Sequence, residues 1–167
     1  MSLDLERLDA VATVAAIRDG SVSAAEYAEG LADRAAKHAD LNTLQSFDAE
    51  HVVRAATEAF EANPGAALAG LPVVAKDNIN TTNYPTAGGT KALLDHTPAT
   101  DAGVVQRIIR AGGFIGAKAG MHELAFGITS NHAVTGAVRT PANPALNPGG
   151  APGGARAHTA GAVDRAR

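Results

Sequence analysis

The residue whose type and position most suggest chemistry is Lys76. It follows the short apolar run Leu71, Val73, Val74, Ala75, which reads as a strand buried on both faces, and it opens the polar triplet Lys76-Asp77-Asn78. A lysine at the carboxyl end of a buried strand stands where open α/β sheets build their sites. To act as a base a lysine must be neutral, which requires burial or a nearby cation to lower the ordinary value of about 10.4. The plainer alternative is an exposed charge at a strand end.

Two other constellations fail on spacing. His122-Glu123 would begin a zinc-protease helix only with a second histidine one turn on, where Phe126 stands. No metal site is expected. In Gly113-Phe-Ile-Gly116-Ala-Lys118 the glycines are too close together for a phosphate-cradling loop, and the segment, lysine included, reads as the lead-in to a strand.

The elements that must position Lys76 follow from periodicity. Leu5, Leu8, Ala12 and Ala15 mark a first amphipathic helix stopped by Asp19-Gly20. Ser23 and Glu26 form a capping-box pair for a second helix from Ala24 to about His38. Leu41 to Phe47 reads as a short strand, and Asp48 as the cap of a third helix carrying Val52, Val53, Ala56 and Phe60 and ended by Asn63-Pro64-Gly65. After the Lys76 strand, Asp101 is placed to cap a helix with Val104, Val105, Ile108 and Ile109 on one side, stopped by Gly112-Gly113. Phe114 to Ala117 follows as a second buried strand. Strand, helix and strand at this spacing predict a parallel crossover unit. Met121 to Phe126 could start another helix, and Gly127 to Pro148 reads as loop.

Composition bounds the rest. The chain has 167 residues, 46% of them hydrophobic but leaning on alanine, with 4% aromatics and no tryptophan, so a thin core is expected. Net charge is -3 with both signs mixed, which argues against a nucleic-acid partner. The absence of cysteine excludes disulfides and a thiol nucleophile. Charged residues from Asp4 to Asp19 rule out a signal-peptide core there, and no apolar run is long enough to span a bilayer, so a cytoplasmic location is expected. Residues 151–167 lack large apolar groups and are expected to be a disordered tail to the domain formed by residues 1–150.

Gly70-Leu-Pro-Val-Val-Ala-Lys76-Asp77-Asn78 resembles the lysine motif of the amidase-signature enzymes. Thr86-Ala-Gly-Gly89, Ala111-Gly-Gly113, Gly116-Ala-Lys118, the Met121 to Asn131 run and Gly136-Ala-Val-Arg139 are similar to that family in the same order. The likeness spans about Gly70 to Gly150, and its details are closest to hydrolases of small aryl amides such as indoleacetamide or mandelamide. It implies the amino-terminal part of the amidase-signature α/β fold, a mixed sheet flanked by helices with a parallel β-α-β unit. It also implies a Ser-Ser-Lys triad with Lys76 as the base, a substrate side formed by Met121, Ser130 and Asn131, a small amide as substrate, and no cofactor.

The family's Gly-Gly-Ser-Ser-Gly-Gly-Ser segment stands here as Gly149-Gly-Ala151-Pro-Gly-Gly-Ala155, with Ala151 at the bridging-serine position. A methyl group neither relays a proton nor donates a hydrogen bond. By resemblance the nucleophile and oxyanion hole belong to a segment beyond Arg167, so these 167 residues are expected to be a truncated, inactive amidase portion whose unfinished sheet dimerises or aggregates. The changed tail has two origins open to it, a shifted reading frame or a glycine-rich linker. Two further functions stay open: a non-catalytic protein that binds small amides, and a subunit of the kind found in glutamine-dependent amidotransferases.

Overall fold

The computed structural model describes residues 9–132, 135–149 and 153–154. Three helices come first: α1 (Ala10–Arg18), α2 (Ala24–Lys37) and, after strand β1 (Leu44–Phe47), α3 (Ala49–Ala62). Their starts are set locally. Asp9, Ser23 and Asp48 each accept a hydrogen bond from a backbone amide of the first turn, and at Ser23 the Glu26 carboxylate returns the bond to the Ser23 amide at 2.8 Å.

The buried face of α1 is Thr13, Val14, Ala16 and Ile17, not the expected stripe through Ala12 and Ala15; Ala15 is exposed, and Leu5 and Leu8 lie outside the described residues. The stripe was drawn through small alanines. Val14 and Ile17, which have more apolar area to hide than Ala12 and Ala15, turn inward instead, while Val11 stays exposed.

Strand β2 (Pro72–Lys76), helix α4 (Gly103–Arg110) and strand β3 (Phe114–Ala119) form the expected parallel crossover, with Pro72 opposite Phe114 and Lys76 opposite Ala119. Strand β1 pairs antiparallel on the other side of β3, giving a mixed sheet in the order β1-β3-β2. Among the described strands, only β3 is buried along its whole length. Strand β2 lies at an edge of this sheet with Val73 and Val74 partly buried, so the expectation that it is covered on both faces fails among the described residues.

Phe114 packs with Ile17, Ala28, Val52 and Ala56 under the first three helices, while its neighbour Ile115 packs with Ala75, Tyr84 and Val105. Adjacent residues of β3 thus serve two cores, as the alternation of a strand requires. Gly112, at the junction of α4 and β3, has φ +86°, and a Cβ there would fall 2.5 Å from the Ala66 Cβ. Only glycine fits that turn.

Asp101 does not cap α4. Its carboxylate accepts the Thr82 amide at 2.7 Å, and the cap residue is Ala102, without a side-chain bond. On α4 only Val105 is buried and Ile108 partly so; Val104 and Ile109 are 43% and 49% exposed, so the inward face is narrower than the four-residue stripe.

Met121 to Phe126 makes only a 3-10 turn at Glu123–Ala125, because Leu124 and Ala125 take positive φ (49° and 61°), which no α-helix allows. The following loop contains a two-residue hairpin, β4 (Asn131–His132) with β5 (Gly136–Ala137). The expected disorder of residues 151–167 falls almost wholly outside the described residues. Gly153 and Gly154 are described, and both are buried.

Candidate active site

Lys76 is the last residue of β2 and is partly buried. Its carbonyl accepts the Ile79 amide at 2.9 Å, turning the chain, and the Asp77 amide donates to Ala119 O at 3.2 Å, which ties this turn to the end of β3. The Asp77 side chain is wholly buried: Oδ2 accepts the Gly89 amide at 3.0 Å, and Oδ1 has no hydrogen-bond partner. Burial pushes this carboxyl above its ordinary value, against the Gly89 amide, the Lys118 cation, the Ala87 amide and His132, which pull it down.

A second lysine, one position past the expected strand Phe114 to Ala117, is the largest fully buried side chain among the described residues. Lys118 is 0% exposed. Its Nζ donates to Ile79 O and Thr86 Oγ1, both at 2.8 Å, to Pro85 O at 3.2 Å and, at the longer distance of 3.4 Å, to Thr81 Oγ1. Burial pushes its pKa down to about 8, with Asp77 acting in the opposite sense. The signal available in the sequence was a lysine inside the otherwise apolar run Phe114–Ala119, with small neighbours that leave room for a long side chain to turn inward.

The loop that surrounds Lys118 is pinned elsewhere too. Tyr84 Oη donates to Gly116 O at 2.9 Å, Asn83 Nδ2 donates to Ile115 O at 2.9 Å, and Thr81 Oγ1 donates to Tyr84 O at 3.1 Å. Gly88 and Gly89 both have positive φ, and a Cβ on Gly89 would meet the backbone of His122 and Glu123 at 3.1–3.2 Å. This close approach lets the Leu124 amide reach Gly88 O at 2.8 Å.

The three residues expected on the substrate side are placed differently from one another. Met121 and Ser130 are wholly buried, whereas Asn131 is exposed on β4. Ser130, at φ +52°, accepts the Gly153 amide on Oγ at 2.9 Å, and the next amide, of Gly154, donates to Gly120 O at 3.1 Å. Two backbone bonds and the Ser130 side chain therefore bring the end of β2, the end of β3, Ser130 and the Gly153-Gly154 pair to one end of the sheet. Ala151 lies outside the described residues. Burial lowers the pKa of the His132 imidazole, with Asp77 and Glu123 opposing.

A groove of about 400 Å³ between α3 and α4, lined among others by His51, Glu58, Asn83 and Ile109, touches none of the residues expected in the site. Among the described residues no cluster of His, Asp and Glu could hold a metal ion, and no helix is long and apolar enough to cross a membrane.

Comparison with known proteins bears on family and fold. The Amidase family model matches residues 26–164. The chain is similar to the indoleacetamide hydrolase of Rhizobium radiobacter, at 42% identity over 139 residues, which is 83% of this chain and 30% of that one. Its likeness to the indoleacetamide hydrolase of Agrobacterium vitis is 40% over 149 residues, 89% and 32% of the two chains.

Among solved structures, one described as an amidase superposes with TM-score 0.82 at 32% identity, covering 93% of this chain and 37% of its own. A 6-aminohexanoate cyclic dimer hydrolase complexed with substrate superposes with TM-score 0.86 at 26% identity, covering 96% and 33%. The chain spans about 30% of the length of the curated relatives it matches. With the family model matching most of its length, the chain belongs to the amidase family.

Proposed function

We propose that this chain carries the lysine side of an amide-hydrolysing Ser-Ser-Lys site, with Lys76 as the base, and that as it stands it does not turn over amides. The observation behind the first half is the placement of Lys76 at the carboxyl end of a parallel strand, beside the turn that Asp77 and Gly89 lock. Behind the second half is alanine at position 151, where the resemblance places the bridging serine.

In the complete reaction a neutral lysine draws a proton through a bridging serine, the nucleophile attacks the amide carbonyl, ammonia leaves, and water resolves the acyl-enzyme. Alanine at position 151 breaks the relay. Ser130 is an unsuitable substitute, because its Oγ is buried and already accepts the Gly153 amide. A small aryl amide of the indoleacetamide kind is the substrate class this reading favours. Asn131 is the exposed member of the substrate side, with Met121 and Ser130 beneath the surface.

The test is hydrolysis of indoleacetamide, mandelamide and a chromogenic anilide by the purified chain, by Ala151→Ser and by Lys76→Ala. All three proteins should be inactive. Losing even one oxyanion donor costs serine hydrolases on the order of a hundredfold to a thousandfold, and losing the nucleophile costs far more, so restoring one bridging hydroxyl does not create turnover. Activity that follows the wild-type chain through purification and vanishes in Lys76→Ala refutes the second half of the proposal and supports the first.

A further inference from the structure

We infer that Lys118 is a positioning residue for Lys76: its ammonium group, held by oxygens of the loop from Ile79 to Thr86, fixes the chain that leaves Lys76 and so sets where that side chain stands. The inference rests on the reading of Lys76 as the base and adds the device that places it. Three observations carry it.

The first is the origin of the side chain. Lys118 lies in the middle strand and pairs in register with Ala75, while its neighbour Ala119 pairs with Lys76. The ammonium is therefore rooted in the most enclosed strand of the sheet, one register position from the residue it serves.

The second is what the ammonium holds. Ile79 O and Thr86 Oγ1, both at 2.8 Å, are the two ends of one loop, and Pro85 O and Thr81 Oγ1 come from within it. Thr86 Oγ1 also donates to Ile79 O at 3.3 Å, so the same two ends close on each other as well as on the lysine. Ile79 is the residue whose amide turns the chain back onto Lys76 O. Any buried ammonium needs acceptors, and here all four come from this one loop, the segment that leaves Lys76.

The third is Asp77. It directly follows Lys76, is buried, is bonded to Gly89 and is attracted by the Lys118 cation. Lys76 is thus flanked by Ala75, paired to Lys118, and Asp77, bonded through its amide to Ala119 and through its carboxylate to Gly89.

The experiment compares wild type with Lys118→Met, Thr86→Val and Thr86→Ser by two measurements. Site-resolved amide exchange follows Ile79 and Gly89 against Ala56 in the core of α3. Competitive labelling with trinitrobenzenesulfonate, quantified by mass spectrometry, gives the reactivity of Lys76 relative to the exposed Lys91. In Lys118→Met, exchange at Ile79 and Gly89 should accelerate on the order of tenfold while Ala56 keeps its wild-type rate. The Lys76 to Lys91 labelling ratio should change by about threefold or more. Thr86→Val, nearly isosteric but without the hydroxyl, should move both readouts in the same direction by less, and Thr86→Ser should restore them.

Loop exchange that rises while the labelling ratio stays at the wild-type value in both Lys118→Met and Thr86→Val overturns the inference, because Lys118 would then hold the loop without placing Lys76. Exchange that rises equally at Ala56 overturns it as well, since the effect would be one on global stability. Should Lys118→Met fail to fold, Thr86→Val against Thr86→Ser decides. Neither readout is turnover: exchange and labelling report where Lys76 stands, so their outcome is separate from whether Lys76 serves as a base.

Discussion

Raising the pH should stabilise this protein over a range in which many proteins lose stability, and the cause is one buried amine. Lys118 is wholly enclosed, and burial brings its pKa from 10.5 down to about 8. Between those two values the unfolded chain still holds a proton that the folded chain has shed. Unfolding then takes up a proton, and stability climbs with pH.

At ~1.4 kcal/mol for each tenfold change in the proton equilibrium, the whole shift corresponds to roughly 3 kcal/mol, of which roughly 2 kcal/mol is recovered between pH 8 and pH 10. Above about pH 10 a second group opposes the gain. Burial pushes the Tyr84 phenol from 10.0 up to about 12, so the unfolded chain loses that proton first and stability declines through this range.

The other buried titrating groups near Lys118 act from lower pH. His132, lowered from 6.5 by burial, makes stability rise with pH up to about that value; Asp77, raised from 3.8, makes it fall from there upward. The assay is urea unfolding at constant ionic strength from about pH 7 to about pH 10, with the slope on urea checked for constancy. Wild type should gain stability across the upper part of the range and Lys118→Met should not. A wild-type profile that is flat or falling between pH 8 and pH 10, or a rise that survives in Lys118→Met, refutes the reasoning.

Two further substitutions test the frame that carries the site. Ser23→Ala removes the side-chain acceptor of the Glu26 amide and half of the capping box on α2, and urea unfolding should show a loss of ~1 kcal/mol, with no change in the Lys118-dependent pH profile. Gly112→Ala places a methyl group against Ala66 at a left-handed position, so strain and overpacking should together lower stability by roughly 2–4 kcal/mol; a thermal midpoint equal to wild type would show that the junction of α4 and β3 relaxes freely.

The sequence determined what depends on neighbours in the chain. The helix starts at Ser23 and Asp48 were legible because a capping side chain reaches only its own first turn. The parallel crossover was legible because two apolar runs separated by a helix leave few other connections. Lys76 could be singled out because a cation that directly ends an apolar strand is conspicuous in one dimension, and the ordered glycine-rich segments around it carried the family resemblance.

Tertiary structure decided whatever depends on contacts between distant residues. Asp101 could be assigned to the α4 cap from its position, but the Thr82 amide, 19 residues earlier, competes for its carboxylate and takes it. Met121 to Phe126 has a composition a helix accepts. It is held instead against the Gly88-Gly89 turn, where a bond to Gly88 O and positive φ at Leu124 and Ala125 outweigh local preference. Lys118 gave the least sign of itself, because one lysine in an apolar strand reads as a charge at its border. Its partners at Ile79, Thr81, Pro85 and Thr86 lie 32 to 39 residues away, and only the folded sheet brings their oxygens around one nitrogen. A buried charge is tolerable only where such partners converge, and that convergence is a property of the fold, not of local sequence.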